Sequence, residues 1–129
     1  PGALSADDDV RRLSCAFTDG AVSTFQNGAF ISKPAEPLAF TLSEIDLDGQ
    51  RATLAAGTGN GSVQGGTVRI VRAINANHYL EVAAEGFLNL TTVYDKAPGT
   101  DVYPAVHSRH LGVIGEPVYG RYTGTCKAG

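Results

Sequence analysis

The sequence predicts an all-β domain: an antiparallel meander closed into a small barrel of about eight strands, with a β-sandwich as the alternative. Three observations lead there. Apolar and polar residues alternate over short runs, as in Leu13, Cys15, Phe17 and again in Leu38, Phe40, Leu42. Turn dipeptides recur between the runs, in a chain with 16 Gly and 6 Pro among 129 residues. No apolar pattern of helical spacing persists for the length of a helix. Tight connections force antiparallel neighbours, because a parallel pair needs a crossover of about a dozen residues. A long meander must then curl or fold over to cover its apolar face and hide its edges.

The elements follow in order. Residues 1–9, opening on Pro1-Gly2, read as a disordered lead-in, and residues 10–129 read as a single all-β domain. The first strand runs through Leu13 to Phe17, and Asp19-Gly20 reads as a two-residue hairpin turn into Val22 to Phe25. Asn27-Gly28 marks the next turn. In the strand from Leu38 the apolar phase slips to Ile45 and Leu47, as a bulge would cause. Asp48-Gly49 turns into Arg51 to Ala56, and a Gly-rich loop leads to Thr67 to Ala73. After Asn75-Ala76-Asn77, a strand with His78, Leu80 and Val82 on one face turns at Glu85-Gly86 into Phe87 to Tyr94. A loop containing Pro98-Gly99 precedes Tyr103 to Leu111, and Val118 to Thr125 closes the domain.

Cys15 and Cys126 lie in the opening and closing strands. Two thiols alone make a poor zinc site, which wants four ligands. Cys15 shares a face with Leu13 and Phe17, and Cys126 with Val118 and Tyr122, so both can point inward and pair. A disulfide tying the first strand to the last is therefore expected, in an oxidising compartment. With no Met at the start, the chain reads as an exported protein, periplasmic or secreted, whose signal peptide has been removed. It contains no apolar run long enough for a transmembrane helix.

Charge narrows the partners. The net charge is −3, but Asp7, Asp8 and Asp9 precede every Lys and Arg, so the body beyond them is neutral. A duplex nucleic-acid binder would show a basic face, and this composition does not.

The candidate chemical motifs mostly reduce to structure. The stretch Gly57 to Gly66 has no Lys and leads into a strand, whereas a phosphate-cradling loop leads into a helix. Asp46-Leu47-Asp48-Gly49 starts like a calcium loop, but Gly49 falls fourth and Gly57 stands where the closing Glu belongs. The sequons at Asn60 and Asn89 matter only in a eukaryotic secretory pathway, and the second falls in a predicted strand. The tetrapeptide His107-Ser108-Arg109-His110 is the most informative. On a strand His107 and His110 point to opposite faces, so they form no metal pair. His107 and Arg109 share a face and can together hold a carboxylate or phosphate, the Arg through its bidentate fork. The plainer account is a strand whose polar groups pair with neighbours such as Glu81 or Asp95. No nucleophile elbow and no catalytic acid pair can be read from the sequence, so no enzyme activity, cofactor or metal is assigned.

The segments Leu13 to Phe17, Phe87 to Tyr94, Ala105 to His110 and Tyr122 to Cys126 resemble small exported β-proteins of Gram-negative bacteria that have no assigned function. More distantly, Cys15, Asp19-Gly20 and Cys126 resemble the outline of the periplasmic C-type lysozyme inhibitors. Their inhibitory Ser-Gly-x-x-Tyr loop has no counterpart in this chain. These readings lead to an expected non-enzymatic binding or interaction module. It would use His107, Ser108, Arg109 and His110 to contact a small anionic ligand or a protein partner. An inhibitor of a lysozyme-type cell-wall hydrolase is the second expectation. A hydrolase with acids drawn from separate strands is the third.

Overall fold

The structure, a computed structural model, describes residues 10–55, 66–84, 87–112 and 115–129. The described residues form nine strands and no helix: β1 (Leu13–Gln26), β2 (Ala29–Pro34), β3 (Leu38–Asp46), β4 (Arg51–Ala55), β5 (Gly66–Arg72), β6 (Ala76–Ala84), β7 (Phe87–Tyr94), β8 (Val102–Leu111) and β9 (Val118–Ala128). Every pairing is antiparallel. β1 and β3 to β9 form a closed eight-stranded barrel, sealed where β1 meets β9, and β2 is an additional strand hydrogen-bonded to β1. The barrel is thus the architecture, and the sandwich is excluded.

β1 makes this arrangement possible because it serves three partners. Leu13 to Phe17 pair with β3, Ala21 to Gln26 pair with β2, and the opposite edge runs along β9 throughout. The expected Asp19-Gly20 hairpin is corrected here: the chain continues through it as one strand, with a register shift against β9 between Phe17 and Asp19. A bulge of this kind changes which alternate residues face inward. Leu13, Cys15 and Phe17 are buried before it, and Gly20 faces the Tyr122 ring after it. A Cβ on Gly20 would stand 2.5 Å from Tyr122 Cδ2, so the glycine is there to admit the ring rather than to turn the chain. The hairpin turn lies instead at Asn27-Gly28, where φ is 52° and 85°, the left-handed pair that a type I′ turn requires.

The other local expectations have direct counterparts. The register between β3 and β4 shifts between Ser43 and Asp46, with Glu44 at φ 51°, and Ile45 thereby enters the core. Asp46 Oδ1 accepts a hydrogen bond of 2.9 Å from the Gly49 N–H, which makes this acid a turn cap. On β6 the face carrying His78 and Leu80 is the less buried one, while Tyr79 and Glu81 turn inward. The lead-in, most of the Gly-rich stretch and the Glu85-Gly86 turn lie outside the described residues.

The core is one cluster inside the barrel, centred on Phe17, Leu38, Phe40, Leu42, Leu54 and Ile70. Burying each such side chain contributes roughly 1.5–3 kcal/mol. Phe17 and Phe40 stack with ring centroids 5.4 Å apart. Cys15 and Cys126 face each other in the β1–β9 register and are joined by a disulfide with an S–S bond of 2.02 Å. The closure is therefore covalent as well as hydrogen-bonded. Gly124 lies in the same seam, where any Cβ would run into the Ala16 carbonyl oxygen.

Candidate functional site

Strand alternation places Tyr79 and Glu81 of β6, Asn89 and Thr91 of β7, and His107 and Arg109 of β8 on the inner face. Register then aligns them in two rows. Tyr79, Thr91, His107 and Tyr122 stand opposite one another across β6 to β9. One step nearer the β6–β7 turn, Glu81, Asn89, Arg109 and Gly120 do the same. The barrel interior is thus polar towards this end, with Glu81 5%, Asn89 9% and His107 2% exposed.

His107 sits in an aromatic box. Its ring centroid lies 5.3 Å from that of Phe40, 5.6 Å from Phe17 and 5.8 Å from Tyr122. Its Nδ1 is hydrogen-bonded to Thr91 Oγ1 at 2.7 Å, and its Nε2 has no partner. Burial, reinforced by the positive charge of Arg109, pushes its pKa down to about 3. The imidazole is therefore neutral at physiological pH.

In the second row Asn89 Nδ2 donates to Glu81 Oε1 at 2.8 Å. Burial raises the Glu81 pKa, and the Asn89 hydrogen bond and the Arg109 charge act against that rise. Arg109 lies with its guanidinium carbon 5.9 Å from the Tyr122 ring centroid. Burial lowers its pKa, opposed by Tyr122 and Glu81. A guanidinium stays protonated all the same. Its Nε and Nη2 atoms are buried and make no hydrogen bond. These two atoms form the edge that grips a carboxylate with parallel N–H bonds.

Arg109 and Tyr122 also line a cleft of about 310 Å³ between the β8–β9 end of the barrel and the β2–β3 connection. Val22, Leu111, Val118 and Pro34 supply its apolar wall, and Glu36 lies at its side. Orphaned buried polar groups are uncommon in native proteins, because each costs about 1–3 kcal/mol. Among the described residues the three such side-chain atoms all belong to His107 and Arg109.

The four residues singled out in the sequence divide between the two faces. His107 and Arg109 come together inside. Ser108 and His110 lie outside, within 3.3 Å of each other, with the His110 ring 5.2 Å from that of Tyr119. Ser108 lines a second groove of about 420 Å³, with Asp19 and Arg121 and also with His107 and Tyr122. Asn89 was legible only as a sequon, yet it is buried within the barrel and bonded to Glu81. Its inward direction follows from being an odd-numbered neighbour of Thr91 and Val93 on one strand, a signal that needs the register to be read. Among the described residues no group of three His, Cys, Asp or Glu is placed to hold a metal ion. No protein-family model matches the chain, and no curated protein matches it either.

Proposed function

We propose that this protein is an exported, non-enzymatic binding module that takes a small anionic ligand at the polar end of its barrel. One observation carries the reading: the bidentate edge of Arg109 is buried and unpartnered in a residue that also lines a cleft of about 310 Å³. An eight-stranded barrel is just wide enough either to fill with side chains or to hold one small ligand. A cation shielded from water binds an anion more strongly than an exposed one does, since the surrounding dielectric is low. His107 is neutral and tightly boxed, so it supports the wall beneath the site rather than supplying charge. The disulfide across the barrel seam supports export, because such bonds persist in oxidising compartments.

Titration calorimetry with small organic and inorganic anions tests the reading. Saturable binding to the intact protein is expected, and Arg109→Gln should abolish it while leaving the circular dichroism spectrum unchanged. Equal affinity in wild type and Arg109→Gln would remove Arg109 from the site.

A further inference from the structure

We propose that β2 is a dimerisation edge: two copies of this chain pair their β2 strands antiparallel about a two-fold axis at Ile31, so that one sheet continues from barrel to barrel.

β2 ends the strand order, hydrogen-bonded to β1 on one side and to nothing on the other among the described residues. All 6 of its residues are exposed, with Phe30 at 59% and Ile31 at 43%. An open strand edge is a template for pairing with another chain. Two hydrogen bonds fix which backbone groups point outward. The Phe25 N–H donates to the Pro117 carbonyl, away from β2, while the Ala35 N–H donates to the Gly20 carbonyl, across to β1. Direction alternates along a paired strand, so Ala29, Ile31 and Lys33 bond to β1. Phe30 and Ser32 therefore turn N–H and C=O to the open side, and Pro34 offers only its carbonyl there.

A second copy fits this edge because the outward groups lie symmetrically about Ile31. With the axis there, Phe30 faces Ser32 of the second copy and Ser32 faces its Phe30. Each facing pair exchanges N–H and C=O in both directions, so every outward group of the two residues is satisfied. Neighbouring two-fold registers do worse. An axis at Ser32 sets Phe30 against Pro34, which has no N–H to return. An axis at Phe30 sets Ser32 against Gly28, whose φ of 85° belongs to the turn. Lys33 is the one charged residue of β2, and the axis at Ile31 sets it against Ala29, so no like charges meet. Because β2 has a single open edge, pairing closes at two copies and does not propagate.

Side chains follow the same symmetry. Ile31 meets its counterpart at a non-hydrogen-bonded position, where Cα atoms approach to about 4.5 Å and side chains touch. On the opposite face Phe30, edge-to-face with Phe25 at 5.1 Å, gains Ser32 of the second copy as a neighbour. The interface is small, with 6 residues in each β2 against about 20–30 a side in standard interfaces. The association is therefore weak and concentration-dependent, and with no ion pair in it, insensitive to salt.

Sedimentation equilibrium of the full chain, disulfide intact, is the test. A monomer–dimer equilibrium is expected with a dissociation constant between about 10 μM and 1 mM, unchanged by salt. Ser32→Pro deletes an outward N–H that β1 does not use and should weaken the dimer at least about tenfold. Ile31→Lys opposes two like charges across the axis and should weaken it as much. Ile31→Cys should cross-link two copies under mild oxidation, whereas Lys33→Cys, held away from its counterpart, should not. A chain still monomeric at about 1 mM would overturn the second copy as occupant and leave the edge to a strand of another protein. A dimer untouched by both Ser32→Pro and Ile31→Lys would overturn β2 as the interface. Cross-linking through Lys33→Cys and not through Ile31→Cys would overturn the register. Both cysteine variants replace exposed side chains, so cross-linking still reads the contact if Ser32→Pro fails to fold.

Discussion

The two ends of the barrel are built from the same strands and serve opposite purposes. At the end where the chain enters, Leu13, Ile45, Leu47, Tyr79, Val93 and Tyr103 close around about 20 Å³, room for roughly one water. At the other end Glu81, Asn89, His107 and Arg109 line the interior beside a cleft of about 310 Å³. The transition happens along individual strands. β8 runs inward-facing from Tyr103 and Ala105 to His107 and Arg109, and β7 from Val93 through Thr91 to Asn89. Alternation sets which residues face in, and side-chain chemistry along that face decides which end is sealed. One end concentrates apolar burial and the disulfide; the other holds unpaired polar groups that cost stability.

The largest expected effect lies in the seam. Replacing Cys15 and Cys126 by Ala removes a cross-link spanning 111 positions. The loop-entropy model puts the loss on the order of 4–5 kcal/mol. Denaturant midpoints for wild type and the double variant measure it, and a change below about 1 kcal/mol would show that hydrogen bonding alone closes the barrel.

The second effect belongs to the polar end. The folded His107 has a pKa of about 3, below the ordinary 6.5, so between those values the unfolded chain holds a proton that the folded chain excludes. The associated stability is present above pH 6.5 and falls as pH drops towards 3, by about 1.4 kcal/mol per pH unit and on the order of 5 kcal/mol in all. Glu81 acts in the opposite sense, because its raised pKa lets the folded state take up a proton first as pH falls towards 4.5. His107→Phe, in a box already lined by Phe17, Phe40 and Tyr122, should flatten the dependence of the urea midpoint on pH. An unchanged pH profile would place the acid sensitivity elsewhere.

Third, Leu42 is completely buried, and Leu42→Ala should cost about 2–5 kcal/mol through lost burial and the cavity left behind. Thermal unfolding of the variant checks this. The smallest effect has the opposite sign. Arg109→Met replaces a half-buried cation with an apolar chain of similar length and should leave stability unchanged or raise it by up to about 1 kcal/mol. A loss of several kcal/mol would give Arg109 a structural task and erase the contrast between the ends.

Much of the barrel was legible in the chain. The alternation of Leu38, Phe40 and Leu42, the Asn27-Gly28 turn and the slip to Ile45 are local signals with local causes. His107 and Arg109 were legible as a same-face pair for the same reason. Asp19-Gly20 misled because the dipeptide has two uses, and packing against Tyr122 rather than local preference chose between them. The sequence left the inward face of β6 open: alternation groups His78 with Leu80, and only the closed barrel shows that Tyr79 and Glu81 face its interior.

The sequence by itself determined the fold class, most strand positions, the pairing of Cys15 with Cys126 and the shared face of His107 and Arg109. Each depends on a two-residue period or on turn chemistry acting over a few neighbours. Tertiary structure alone decided that β1 extends through Asp19-Gly20 to serve three partners, and that Glu81 and Asn89 stand in one row with Arg109. Those relations are set by register between strands and by closure of the barrel, so no single segment contains them.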